Sequence, residues 1–446
     1  MAATSAFAQT TVEIYGRAHV AYDAIYKTTG GTTVPGGEAV TGASASAIAA
    51  GNGYDLQNRR RVADDGSRIG FRVTEDLGSG AYAKAVIETG INLDTNSANG
   101  QSGGANSGTG FFGSRDAWVG LGSAQGDIRL GRQNNFWGNG AIEDVGANRI
   151  HFSINGAYTA PSSGWISGPA ARVDNTLKFV ANRGLAGAFA GSEIWIAHPN
   201  AAEQAAPNTA ATNVTSAGVK GNQAGDVLAK AQGITLKFNQ GPWAAQYDYA
   251  QNKNQLNGVQ TAAGTNSNQW TSGPATLTTS PNADSTLTGA KLGLAYSYAD
   301  GSKVYFINST FKQEYATLSS VSSIYAIIPA AANSAPLAIV GGDRKQSNNL
   351  IGIQHRIGAW ELHAAYVKQG DLELAGETLN NSGSKAYTLG ARYELSKRTA
   401  LTVATTQIKN DTKNNINNSG GGQSSVAAIG YGAKLTQFGA SVQHNF

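Results

Sequence analysis

The side chains that could do chemistry are sorted first by what they lack. Six histidines, His19, His151, His198, His355, His363 and His444, are scattered without metal-ligand spacing. There is no cysteine, hence no thiolate ligand, thiol nucleophile or disulfide. The string "GTGFFG" at 108–113 matches a dinucleotide fingerprint, but lies in a Gly/Ser-rich stretch with no strand before it and no helix after it. No nucleophile elbow, zinc-protease or phosphate-loop motif is present. What remains is fixed charge on one side of alternating segments. In "TVEIYGRAHVAYDAIY", residues 11–26, Glu13, Arg17, His19 and Asp23 share one face. Arg68 in "GSRIGF" alternates in the same way against Ile69 and Phe71. Charges held in a row without a nucleophile build a field, not a reaction.

Charges can stand in a row only if the backbone beneath them is extended. In 11–26 the opposite face reads Val12, Ile14, Gly16, Ala18, Val20, Tyr22, Ala24, Tyr26, and strict period-two alternation of this length is a strand. The pattern recurs in "GITLKFNQ", "WAAQYDYA", "KLGLAYSYA", "AWELHAAYV" and "KAYTLGARYEL". Short turns such as "DLGSG", "NQGPW", "YADGS", "RIGAW" and "LSKR" join such segments in pairs. Long Gly/Asn/Ser/Ala-rich stretches separate the pairs, roughly 27–65, 92–113, 133–171, 199–230, 252–286, 316–346, 370–384 and 411–435.

So many long loops are foreign to a compact soluble domain. They suit a transmembrane barrel, which has short turns at one end and long loops at the other. Composition agrees. Charged residues make up 14% of the 446 residues, against about 25% in soluble domains, while Gly alone contributes 57. The net charge of +4 is too mild for a nucleic-acid binder. No apolar run reaches the length of a membrane-spanning helix. About sixteen strands are expected, closed into an antiparallel all-β barrel. The "AFA" before Gln9 fits a cleavage site, so residues 1–8 read as the remnant of a signal peptide and 9–446 as one barrel. In "FGASVQHNF", Phe446 shares a face with Phe438, Ala440, Val442 and His444, which puts its ring in the apolar band or an aromatic girdle and anchors the chain end in lipid.

Several segments together resemble the Gram-negative trimeric porins, most closely those of β-proteobacterial and neisserial type. "VEIYGRAHVAYD" is similar to their first strand, "DDGSRIGFRVTEDLGSGAYAKAVIE" to the second and third, "SRDAWVGLGSAQGDIRLGRQ" to the fourth and fifth, "RVDNTLKFVANRGLAG" to the sixth and "SVQHNF" to the end. The N-terminal half matches in order and spacing, and the C-terminal half mainly in strand pattern and final Phe. "VANRGLAG" lacks the proline common after the sixth strand, and "NRIHFSINGAYTAPSSG" looks like an insertion.

The resemblance implies an outer-membrane general diffusion channel, a homotrimer that catalyses nothing and holds no cofactor. Outer-membrane lipid and lipopolysaccharide would surround it, and small anions and hydrophilic solutes would pass. It implies a third loop, here about 133–171, folded inward to narrow the lumen. Basic residues on the facing wall map onto Arg17, Arg68, Arg115 and Arg172, and favour anions. Glu143 and Asp144 are the only acids in the loop and the candidates for its opposing charge. Arg149 and His151 in that loop would add to the positive side, and Arg72, Lys84 and Arg129 fall on inner faces outside the neck. Loop 92–113 has the composition and length of a latch onto a neighbouring subunit. A channel dedicated to one substrate, and a non-channel adhesin or scaffold barrel, are the alternatives; most aromatics fall on the lipid face, against an aromatic slide for sugars.

Overall fold

The computed structural model describes residues 10–32, 55–58, 60–94, 112–135, 142, 153–154, 158, 162–163, 166–167, 172–183, 189–197, 230–256, 283–315, 343–374, 376–417 and 429–446. Among these, sixteen strands form the wall: β1 (Thr10–Thr29), β2 (Arg68–Gly78), β3 (Ala81–Gly90), β4 (Ala117–Gly122), β5 (Gly126–Asn134), β6 (Arg172–Ala181), β7 (Glu193–Ala197) and β8 (Lys230–Gln240) make one half. The other half is β9 (Trp243–Leu256), β10 (Ala283–Ala299), β11 (Ser302–Tyr315), β12 (Arg344–Ile357), β13 (Trp360–Gln369), β14 (Ser384–Glu394), β15 (Thr399–Asn410) and β16 (Lys434–Asn445). Each pairs antiparallel with the next, and β16 pairs with β1 to close the barrel. Closure leaves no strand edge unpaired, which a membrane demands.

Closure depends on β1, which is shared lengthwise. Thr10–Arg17 pair with Glu75–Arg68 of β2, while Arg17–Thr29 pair with Asn445–Lys434 of β16. A short strand, Arg61–Asp64, continues the line of β2 beside Val20–Asp23. Phe446 completes the seam: its backbone exchanges hydrogen bonds with Gly16 at 2.9 and 3.1 Å. Its ring covers Gly16, where a Cβ would come within 2.4 Å of the ring.

One end carries tight connections. Ser79 and Gly80 both take positive φ (55° and 78°), the twist that a two-residue hairpin loop requires. Outward side chains between the ends are apolar: Ile14, Val119, Leu121, Leu294, Ile351, Leu389 and Val442 are all exposed. At the tight-turn end the cross-strand aromatic pairs Trp243–Tyr296 and Trp360–Tyr393 stand 4.6 and 4.8 Å apart, as in an interfacial girdle.

Alternation fails at one place. A bulge between Asp23 and Ile25 shifts the register of β1 against β16. One extra residue reverses every side chain beyond it. Tyr26, read from the sequence as outward, is therefore buried inside, at 2% exposure.

The expected polar lumen is also only half the case. Tyr305 and Ile307 on β11, Leu350 on β12, Val367 on β13, Ala386 on β14 and Ile408 on β15 form a buried inner-face cluster that includes Ile142, Ile154 and Tyr158 of the loop after β5. The Tyr158 carbonyl accepts from Ser309 Oγ (3.3 Å) and Asn348 Nδ2 (2.9 Å), and its hydroxyl meets Ser384 Oγ at 2.9 Å. The Ile154 N–H donates to Thr388 Oγ1 at 3.1 Å. Ile142, Ile154 and Tyr158 of the third loop thus lie inside the barrel against the far wall, β11–β15. Inner-face aromatics are more numerous than the alternation suggested: Tyr15, Tyr82, Trp118, Trp195 and Tyr305 join Tyr26 there. β11 shows why. Its "VYFINSTF" is apolar on both faces, so hydropathy does not tell the loop-facing side from the lipid-facing one.

Candidate functional site: an arginine rung on the inner wall

The near wall, β1–β6, carries the charge. Arg17 and Arg68 are direct register partners on adjacent strands, so both side chains leave the inner face together. Arg115 lies two residues before β4; its backbone N–H is hydrogen-bonded to the Glu88 carbonyl of β3 at 3.0 Å. Arg172 opens β6 opposite Asn134. Arg17 lies within the fields of Arg68 and Arg115, and Arg172 within those of Arg115 and Arg132. The barrel therefore gathers the four arginines, far apart in sequence, into one rung.

Each is held from behind. The Glu88 carboxylate takes Arg115 Nε at 2.5 Å and faces Arg68 Nε at 3.7 Å, so one acid serves two cations. Arg172 Nε lies 3.3 Å from Asp116, and Arg132 pairs with Asp174. Arg17 is oriented by the break between Asp64 and Arg68. There Gly66 adopts a positive φ of 79°, and Asp64 Oδ2 accepts the N–H groups of Gly66 and Ser67 at 2.9 and 3.1 Å. The turn so fixed aims the carbonyls of Asp65 and Gly66 at Arg17 Nη2, at 3.0 and 2.9 Å. The motif "DDGSR" thus supplies one arginine and the cradle of another. Among the described residues, Glu88 pairs with Arg68 and Arg115, and Asp116 with Arg172. Asp64, fully buried, and Asp65 stand behind Arg17; Asp65 is turned to His19 Nδ1 at 3.4 Å.

His19 Nε2 is also 3.0 Å from Ser441 Oγ, a Ser–His–Asp line that resembles a hydrolytic triad. His19 and Ser441 are 1% and 3% exposed, so the line is sealed, and it ties β16 to β1.

Nearer the tight-turn end lie Arg72, Lys84 and Arg129. Arg72 pairs with Glu13 at 2.7 Å and lies over the Tyr15 ring. Arg129 pairs with Asp127 at 2.8 Å and lies over Trp118. Lys84 faces Gly120 across the β3–β4 pair. All three stand on the inner face, away from the rung. Glu13, which shares the inner face of β1 with Arg17, pairs with Arg72. Glu143, Asp144 and Arg149 lie outside the described residues, as do residues 1–8 and most of loop 92–113.

Sequence reasoning missed Glu88, Asp116, Arg132 and Asp174. Glu88 had a signal, since it shares the polar face of "AYAKAVIE" with Lys84. Asp116 and Asp174 follow an arginine by one and two residues, and no local pattern marks which arginine each will meet across the wall.

A family model described as Gram-negative porin matches residues 1–413. Among solved structures, an anion-selective porin from Comamonas acidovorans is similar over 98% of this chain and 100% of its own, with 17% identity and a TM-score of 0.60. OmpT of Vibrio cholerae matches over 98% of both chains, with 10% identity and a TM-score of 0.53. OmpF of Salmonella typhi, in complex with daunomycin, covers 98% of this chain and 97% of its own, with 14% identity and a TM-score of 0.51. No curated protein sequence matches.

Proposed function

From the premise that this chain belongs to the Gram-negative porin family, and so forms a diffusion channel of the Gram-negative outer membrane, we propose that it passes small hydrophilic solutes passively and prefers anions. The observation that carries this reading is the rung itself. Four arginines converge on one wall, and two of them share a single carboxylate. Ile142, Ile154 and Tyr158 of the loop pack on the opposite wall, and on this reading solutes pass beside the guanidinium groups. Arginine suits the task because its charge does not titrate and its planar fork can be held from behind while still facing the lumen. At an effective dielectric of about 40, two charges 6 Å apart interact by roughly 1.4 kcal/mol. A term of that size favours anions up to about tenfold without trapping them. The anion selectivity of the Comamonas porin points the same way.

The reading extends to assembly as a homotrimer. OmpT of Vibrio cholerae has a trimer form of the same fold. On this chain the outward residues of β3–β5 (Ile87, Val119, Leu121, Ile128 and Leu130) are exposed and aliphatic, whereas β9–β14 carry Trp243, Tyr296, Trp360, Tyr366 and Tyr387 outward. A sector without interfacial aromatics is the sector expected to face protein.

Reversal potentials across a KCl gradient test the selectivity. The wild-type channel should prefer Cl⁻, and the preference should fall as salt rises from about 0.1 M to 1 M, because the Debye length shrinks from about 10 Å to 3 Å. The double change Arg68→Gln, Arg115→Gln should nearly abolish it. A wild-type preference for K⁺ would overturn the reading.

A further inference from the structure

On the tight-turn side of the rung, cations and aromatic rings alternate along the near wall. Arg72 Cζ stands 4.8 Å from the centre of the Tyr15 ring, and Arg129 Cζ 4.5 Å from the centre of the Trp118 ring. A carboxylate fixes the edge of each guanidinium: Glu13 meets Arg72 at 2.7 Å and Asp127 meets Arg129 at 2.8 Å. Lys84 stands between the two arginines and within the fields of both. Its ammonium makes no hydrogen bond or ion pair among the described residues. Lys84 is four residues along β3 from Glu88, so this group lies about 13 Å from the rung.

Strand register frames a shallow floor here. Val86 of β3 is the partner of Arg72 on β2 and of Trp118 on β4. Lys84 is the partner of Gly120 on β4, and Gly120 of Arg129 on β5. The backbones that carry Lys84 and Arg129 are thus two strand spacings apart, about 10 Å, with a glycine between them. A Cβ at Gly120 would come within 2.6 Å of the Ile128 carbonyl, so the packing of the wall itself holds that gap free of a side chain.

A guanidinium has two faces. One face of Arg72 and of Arg129 is taken by a ring of the protein, and the wall lies behind. The exposure left to the two side chains, 38% and 21%, therefore opens onto the lumen. A guanidinium held flat in this way attracts a further aromatic ring, by stacking and by its charge over the π face. An ammonium without a partner attracts a carboxylate. The two demands lie side by side over the Val86–Gly120 floor. A planar aromatic acid meets both. Chloride, or a saturated acid of the same size, meets the second alone.

We propose that Lys84, Arg129 and Trp118, with Arg72 and Tyr15 beside them, form a second site in the lumen that binds aromatic carboxylates in transit, with the carboxylate on the Lys84 ammonium and the ring on a guanidinium face. The site rests on the diffusion-channel reading, since solutes must reach the lumen, and is independent of the sign of selectivity at the rung.

The test measures current through the full-length channel in a planar bilayer in KCl, with benzoate, cyclohexanecarboxylate or acetate added on the tight-turn side. Benzoate should half-block the wild type at a concentration roughly tenfold below that of cyclohexanecarboxylate, which has the same charge and no π face. Acetate, which has no ring, should block no better than cyclohexanecarboxylate. Trp118→Leu should bring benzoate and cyclohexanecarboxylate within about twofold of each other, whereas Trp118→Phe, which keeps a ring, should retain most of the difference. Lys84→Gln should weaken block by both acids by a factor of a few. Equal block by the two acids in the wild type, an undiminished benzoate preference in Trp118→Leu, or unchanged block in Lys84→Gln would each overturn the proposal. So would loss of the benzoate preference in the double change Arg68→Gln, Arg115→Gln, which would place the aromatic acid at the rung. Because the two acids carry equal charge, their ratio is read even if the wild type prefers K⁺. Calorimetric titration of the protein folded in detergent gives the same ratio without a current, so a wild type that does not conduct refutes the channel while the site is still tested.

Discussion

Glu88 is the residue whose removal separates a field from a scaffold. It neutralises half of the Arg68 and Arg115 pair while aiming both groups. Glu88→Gln removes one negative charge from the rung without removing a cation. Chloride preference should therefore rise by a factor of a few, the size expected from about 1 kcal/mol between groups separated by several ångströms of water-filled lumen. Reversal potentials measure it; a fall in preference would mean that Glu88 acts chiefly by positioning the arginines. Gly16 makes a second residue-scale case. A side chain there would meet the Phe446 ring at 2.4 Å and the Arg68 carbonyl at 2.6 Å, and the latter is backbone that cannot swing away. Gly16→Val should open the seam between β1 and the chain end. The folded, heat-modifiable fraction on a gel should drop, whereas Phe446→Ala, which only removes the ring, should cost less.

At the scale of elements, the third loop is positioned by packing against β11–β15 more than by charge. Tyr158 is fully buried among Ile307, Leu350 and Ala386 and is fastened by hydrogen bonds to Ser309, Asn348 and Ser384. Tyr158→Ala should cost about 3–5 kcal/mol locally, as for other buried aromatics cut to alanine. Because the wall closes independently of the loop, the cost should appear as loop mobility. Single-channel current should become noisy, with brief closures, while folding persists. Quiet current at the wild-type level would show that other loop contacts suffice. Six wall strands, β1, β8, β9, β10, β13 and β14, were legible as period-two segments, because one face meets lipid and the other mostly does not. Two features were not legible. The β1 bulge adds a residue that leaves no mark in hydropathy, and the inner face of β11 is apolar because a distant loop covers it.

The whole molecule is a closed wall with three distinct outer sectors: an aliphatic one on β3–β5, an aromatic-rimmed one on β9–β14, and a row of register-paired lysines, Lys368, Lys385, Lys409 and Lys434, on β13–β16. If the aliphatic sector is where copies of the chain meet, Val119→Arg with Leu121→Arg should lower the mass in mild detergent from three times 46.0 kDa to that of one chain. The same pair of arginines placed at Leu292 and Leu294, in the aromatic-rimmed sector, should leave the assembly intact. Equal effects at both sites would remove the argument for an interface on β3–β5.

Read along single segments, the sequence carries the class of fold, a wall of about sixteen strands, which end has the tight turns, and the absence of any thiol. Those properties follow from period two, loop length and composition, all of which are local. The resemblance of a few segments brought Arg17, Arg68, Arg115 and Arg172 into view as a group. It took the folded wall to show that Glu88 lies between two of them, that Glu13 pairs with Arg72, that Asp65 and Gly66 cradle Arg17, and that four lysines fall in register with no side-chain ion pair among the described residues. Each of these depends on the stagger between neighbouring strands. A shift of one residue exchanges inside for outside, and a shift of two changes every partner, yet neither shift alters the alternation that can be read along a single strand.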